Sequence, residues 1–122
     1  MTDPNFIILY VESAPQSAAF YAALLGKPAI ESSPAFAMFA LESGVMLGLW
    51  SKHTVEPAAT PVGGAELAFS VADRIAVDAR YAEWQGHDLR IAQKPVELDF
   101  GYTFVALDPD GHRLRVFAPS QP

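Results

Sequence analysis

Cysteine is absent from this 122-residue chain, which excludes disulfides, a thiolate nucleophile and thiolate metal ligands. Any metal would have to be held by histidine and carboxylate. Cations are scarce as well: eight Lys and Arg face fourteen Asp and Glu, for a formal charge of −6. The eight are scattered through the chain, which speaks against a nucleic-acid partner, because phosphate binding needs a basic cluster. An acidic surface of this size suits solubility or a cationic ligand. Long apolar runs are also missing. Charge, proline or glycine interrupts each such stretch short of the roughly 20 residues that a bilayer requires. The opening Met1-Thr2-Asp3-Pro4-Asn5 has no basic region of the kind that begins a signal peptide. The expectation is a soluble cytoplasmic protein that meets no membrane.

What the chain does have is enough apolar material, 51% of its residues, to bury a core in a domain of ordinary size. It also repeats itself. Phe6-Ile7-Ile8-Leu9-Tyr10-Val11 lies against Glu66-Leu67-Ala68-Phe69-Ser70-Val71, Ser13 against Asp73, Tyr21 against Tyr81 and Gly26 against Gly86, all at one offset. Further on, Ala40-Leu41-Glu42-Ser43-Gly44 aligns with Ala106-Leu107-Asp108-Pro109-Asp110-Gly111, with the extra residue placed in the second turn. Met46 to Trp50 then aligns with Arg113 to Phe117.

Each copy reads as a strand, a helix and then strands. The first strand, about Phe6 to Val11, is rich in β-branched and aromatic residues. Ser13 follows as an N-cap, Pro15 sits in the first helical turn, Ala18, Tyr21, Leu24 and Leu25 form an apolar stripe, and Gly26 ends the helix. In the second copy Asp73 is the cap, Val77, Tyr81 and Trp84 recur at helical spacing, and Gly86 closes the helix. Ala35–Leu41 and Val45–Trp50 are predicted to pair as a hairpin, as are Tyr102–Leu107 and His112–Phe117 through the Asp108-Pro109-Asp110-Gly111 turn. Between the copies, residues 51–64 contain Pro57, Pro61, Gly63 and Gly64 and read as a linker.

With these features the chain resembles the vicinal oxygen chelate superfamily, the group of glyoxalases, bleomycin-resistance proteins and dioxygenases. Phe20-Tyr21 with Leu25-Gly26, and Asp108-Pro109-Asp110-Gly111-His112, are the most recognisable pieces. Within the superfamily it is similar to the phenazine-antibiotic resistance type, a non-metal binder, through Tyr10-Val11, Trp50-Ser51, Glu66, Phe100-Gly101, Thr103-Phe104 and Asp108 to His112 with Arg115-Val116. The resemblance implies an α+β fold of two βαβββ repeats forming a curved mixed sheet, paired or domain-swapped in a homodimer. It implies one such domain over residues 1–122, with repeat one at about 5–50, the linker at about 51–64 and repeat two at about 65–119.

In the metal-using members, each copy gives one ligand from its first strand and one from its last. The resemblance puts those positions at Phe6, Gly48, Glu66 and Arg115, and the internal repeat pairs them in the same way. Phe and Gly have no donor, Arg is permanently cationic, and a lone Glu falls short of a ligand set, so no metal and no other cofactor is expected. Three readings of Glu66 and Arg115 are open. They form an ion pair that fills the vacated position; or Arg115 offers its donors to an acidic or carbonyl group of a ligand, with Glu66 orienting it; or Glu66 is a catalytic base, weakened by the neighbouring Arg.

Aromatic residues complete the candidate site. Trp50 shares a strand face with Gly48, and Tyr10 shares one with Phe6, by the two-residue alternation of a strand. Gly48 is expected to leave room for a flat ring beside Trp50. Phe36 and Tyr102, at equivalent places in the two copies, and Phe117, the counterpart of Trp50, are further candidates. A stripe of aromatics on strands serves either as core or as a stacking surface. The function expected is metal-independent binding and sequestration of a small planar aromatic compound such as an antibiotic. The alternative is a metal-free lyase, isomerase or other small-molecule enzyme of the same superfamily.

Overall fold

The computed structural model describes residues 3–120. The chain divides within the proline- and glycine-rich segment into two compact units, the first ending at Pro61 and the second beginning at Val62. Each has the α+β order that the repeat implies. In the first unit these are β1 (Phe6–Val11), α1 (Ala14–Leu25), β2 (Glu31–Ser32), β3 (Phe36–Ala40) and β4 (Met46–Ser51). In the second they are β5 (Glu66–Ser70), α2 (Arg74–Gly86), β6 (Arg90–Leu98), β7 (Gly101–Leu107) and β8 (Arg113–Pro119). The sheet orders are β1-β4-β3-β2 and β5-β8-β7-β6, with the first-to-last strand pairing parallel and the rest antiparallel. The two βαβββ repeats thus form two four-stranded mixed sheets, in keeping with the expected α+β fold. Two of the strands carry little strand signal in the sequence, and the reason is local. β2 has only two residues, and β6 contains Lys94-Pro95 and two register shifts that blur its alternation.

The helices start where their caps dictate. Ser13 accepts from the Gln16 amide through its hydroxyl at 3.2 Å, and Asp73 accepts from the Ala76 amide at 2.8 Å. Gly26, with φ of 71°, ends α1 as its sequence signal indicated. At the end of α2 the positive φ belongs to Asp88, at 60°, while Gly86 is the last helical residue. The fully buried ridge of α1 is Ala14, Ser17 and Tyr21, and that of α2 is Val77 and Trp84. These ridges pack on one face of each sheet. Ala37, Phe39, Leu47 and Leu49 line that face in the first unit; Phe104, Ala106, Leu114 and Val116 line it in the second. Trp84 packs edge-on against Phe69 and Phe104 at centroid distances of 5.6 and 5.4 Å.

The two hairpin turns have the same length. Leu41 N–H donates to the Val45 carbonyl and Gly44 N–H to that of Leu41, just as Asp108 N–H donates to His112 and Gly111 N–H to Asp108. Gly44 and Gly111 occupy the same left-handed position, with φ of 93° and 88°. Buried Asp108 adds side-chain bonds to the amides of Asp110 and His112 at 2.8 and 2.9 Å. The extra residue of the second copy thus falls before β7 and not in the turn, which corrects the alignment of β3 with β7 by one position.

Gly101 opens β7 with φ of 151°, and a Cβ there would stand 2.1 Å from the Ala118 carbonyl oxygen of the paired strand. Backbone cannot yield as a side chain does. Gly101→Ala is expected to cost about 3 kcal/mol of stability, read as a lowered urea midpoint with an unchanged slope; an unchanged midpoint would contradict the packing described for this strand pair.

Candidate functional site

With α1 and α2 covering one face of each sheet, strand alternation sends the other residues to the opposite, open face. In the first unit the register sets Tyr10 beside Trp50 and Trp50 beside Phe36, a row of three aromatics across β1, β4 and β3. The next row is Ile8, Gly48 and Met38, and the next is Phe6, Met46 and Ala40. No member of these rows is charged. Tyr10, Phe36 and Trp50 are half-buried, while Phe6 and Ile8 keep 41% and 44% exposure. The Phe36 ring stands edge-on to Trp50, with centroids 6.5 Å apart and planes at 84°.

Gly48 has a use other than the one expected. A Cβ at this position would lie 2.9 Å from both Phe36 Cζ and Phe6 Cε1, so the chain's own rings occupy the space that the missing side chain leaves. The glycine seats Phe6 and Phe36 against the sheet. A ligand on this face would meet those rings and Trp50 before it met the Gly48 backbone.

The open face of the second unit is polar where the first is apolar. Its rows are Ser70, Phe117 and Thr103; then Ala68, Arg115 and Val105; then Glu66, Arg113 and Leu107. Arg115 grips Glu66 through two parallel bonds, Nε to Oε1 at 2.7 Å and Nη2 to Oε2 at 3.0 Å. Its Nη1 donates to the Thr103 hydroxyl at 3.1 Å, and that hydroxyl donates to the Val116 carbonyl at 2.8 Å. Arg115 holds the Glu66 carboxyl below its ordinary range, chiefly through this hydrogen bonding, against a smaller opposing effect of burial. A carboxylate so stabilised is a poor base.

Phe36 and Tyr102 are not equivalent, as the sequence alignment had them. Phe36 pairs with Trp50, and the residue paired with Phe117, the counterpart of Trp50, is Thr103. A one-residue offset in a strand exchanges faces. Tyr102 lies on the helix side, where its hydroxyl donates to Asp78 of α2 at 2.7 Å and Arg74 stacks 4.0 Å above its ring. It therefore leaves the candidate site. Arg113 and Phe100 were missed. Phe100 lies edge-on to Phe117 at 5.9 Å and 5.6 Å from the Arg115 guanidinium carbon; its place in a turn gave no periodic signal.

The four positions that correspond to metal ligands do not fit a divalent ion. Phe6 and Gly48 bring no donor, and both oxygens of Glu66 are engaged by Arg115. Among the described residues no three His, Asp or Glu side chains gather as a metal site would require. His53 instead bonds the Glu12 carboxylate at an exposed corner of the first unit, with Lys52 3.6 Å from the same oxygen. His87 is exposed beyond α2, and His112 closes the last hairpin turn.

Comparison with known proteins adds the following. Residues 4–116 match the model of the Glyoxalase/Bleomycin resistance protein/Dioxygenase superfamily. The phenazine antibiotic resistance protein EhpR of Enterobacter agglomerans is 28% identical over 116 residues, spanning 93% of this chain and 89% of that protein. The solution structure of protein ATC0852 from Agrobacterium tumefaciens is 51% identical, covers 99% of this chain and 100% of its own, and superposes with a TM-score of 0.88. A glyoxalase-related enzyme from Fulvimarina pelagi has the same fold at 18% identity, with a TM-score of 0.84 over 97% of this chain and 88% of that one.

The side chains of Arg115 and Glu66 retain 17% and 29% exposure, so the pair lies between a surface and a buried ion pair. Arg115→Ala should cost about 1 to 2 kcal/mol at pH 7, between the values typical of exposed and buried pairs. Because Glu66 is depressed in the folded state, its contribution is present above the ordinary value of 4.5 and is lost as pH falls through the depressed folded value. The gap between wild type and variant in urea unfolding is thus expected to close in acid; a gap that is absent at pH 7 or that persists unchanged in strong acid would rule out this pair as its source.

Proposed function

The chain belongs to the Glyoxalase/Bleomycin resistance protein/Dioxygenase superfamily, and from that membership we propose that it binds and sequesters a small planar aromatic compound, such as an antibiotic, without a metal ion. The observation that carries this reading is the row of Tyr10, Trp50 and Phe36 side by side on the open face of the first unit. Neighbouring strands stand about 4.8 Å apart, so three adjacent rings span the width of a fused-ring molecule. Flat conjugated ligands gain from such a surface both through burial of apolar area and through the ring quadrupoles. The likeness to the phenazine resistance protein supports the same class of ligand.

Sequestration needs affinity alone. Holding the compound away from its target is sufficient, and no group on the protein has to react. The pair formed by Glu66 and Arg115 is consistent with that role: it satisfies its own charges and fixes the second unit's face, while the depressed carboxyl argues against a metal-free reaction with Glu66 as base. We place the protein in the cytoplasm, and we propose a homodimer as its working form.

Replacement of Trp50 by Ala is expected to weaken a bound phenazine or quinone by at least about tenfold, from the loss of one stacked pair and its buried area. Trp50→Phe should keep much of the affinity. Calorimetric titration reads the binding, and far-ultraviolet circular dichroism checks that each variant is folded. A folded Trp50→Ala protein with unchanged affinity would remove the basis of the proposal. Light scattering at micromolar concentration should give twice the 13.2 kDa chain mass; a monomer would overturn the dimer.

A further inference from the structure

Across a chain of net charge −6, the open face of the second unit is a local exception. Its register places Arg90, Arg113 and Arg115 on that face with Glu66 as the acidic member of the rows, so cations outnumber carboxylates there. Two of the three guanidinium groups are engaged. Arg115 is held by Glu66 and Thr103, and Arg90 donates to the Asp108 carbonyl at 3.1 Å. Arg113 differs. Its side chain is 62% exposed and pairs only loosely with Glu66, at 3.7 Å. A cleft of about 520 Å³ opens beside Arg113 and Glu66, walled by Gly63, Gly64 and Gly111. This volume is within the range of small-molecule sites.

Aromatic rings lie on the same face. Phe117 is four residues from Arg113 along β8, about 13 Å at the rise of a strand, and exposed Phe100 extends the aromatic surface beside it. That separation matches a planar three-ring molecule bearing an acidic group at one end. We infer that the open face of the second unit takes an aromatic carboxylate, and that Arg113 is the residue that selects for its charge. This rests on the reading of the chain as a binder of planar aromatics. A planar, exposed guanidinium meets a carboxylate through two parallel hydrogen bonds, whereas a neutral amide offers it a single uncharged acceptor. A cationic ligand, which the overall acidity of the chain would favour, is disfavoured here by three neighbouring arginines.

The test uses phenazine-2-carboxylate and phenazine-2-carboxamide, which share a ring system and differ in charge, titrated calorimetrically into the full-length protein. The carboxylate should bind about tenfold more tightly than the amide, the difference between a charge-assisted and a neutral hydrogen bond. That preference should shrink as salt is raised. In Arg113→Gln it should fall to within about threefold, and Arg113→Lys should restore part of it. Equal affinity of the two compounds for wild type would overturn the charge selection and leave the sequestration reading standing. A preference that survives Arg113→Gln would overturn the assignment to Arg113. Binding of neither compound to the folded wild-type protein would overturn both.

Discussion

Each unit of this protein depends on one geometric constraint, the alternation of side chains across a strand when only one face of the sheet is covered by a helix. Leu47, Leu49, Phe39 and Ala37 can be fully buried under α1 only if Gly48, Trp50, Phe36 and Met38 point the other way. The same holds for Leu114 and Val116 under α2, which commits Arg113, Arg115 and Phe117 to the open face. Core formation therefore fixes the composition of the candidate site. A residue cannot be moved between the two without a change of register, and register is held by the hairpin turns that Gly44 and Gly111 close in matching left-handed conformations.

From a common scaffold the two open faces have been given opposite chemistry. The first is filled with rings, and Gly48 lets Phe6 and Phe36 settle onto the sheet where any side chain would collide with them. In the second, the equivalent position holds Arg115, whose charge is compensated by a two-point bond to Glu66 and a third bond to Thr103. Leaving either partner alone in a half-buried place would cost more than the pair returns, so the two are best regarded as a single unit that stiffens the face. Neither arrangement resembles a metal centre, and the difference lies in the donor atoms themselves.

Much of this was legible in the chain. Caps at Ser13 and Asp73, the turn at Asp108 to Gly111 and the repeat of Phe6–Val11 in Glu66–Val71 announce the element order. The ion pair of Glu66 with Arg115 was one of the readings open at the positions that the family resemblance singles out. Two errors share one source. An extra residue in the second copy was assigned to the turn, although the turns are equal and it falls before β7, and this shift put Tyr102 on the wrong face in place of Thr103. Pattern alone cannot locate a single insertion between similar strands, because either choice preserves the apolar alternation of one of them. The role of Gly48 was hidden for a different reason: a glycine in a strand signals close approach without naming what approaches.

Metal-independent binding on the Trp50 face can be read residue by residue in a 13.2 kDa protein by two-dimensional NMR. The direct measurement is titration of isotope-labelled protein with a planar aromatic compound in the presence of a chelator. Trp50 offers its indole Nε1–H as a reporter at the candidate site, and fully buried Trp84 offers a control on the helix side of the second unit. The account predicts that the Trp50 signal and the amides of Tyr10 and Phe36 shift while Trp84 stays still, with the chelator making no difference. Binding that vanishes with the chelator, or shifts that bypass Trp50, would contradict it.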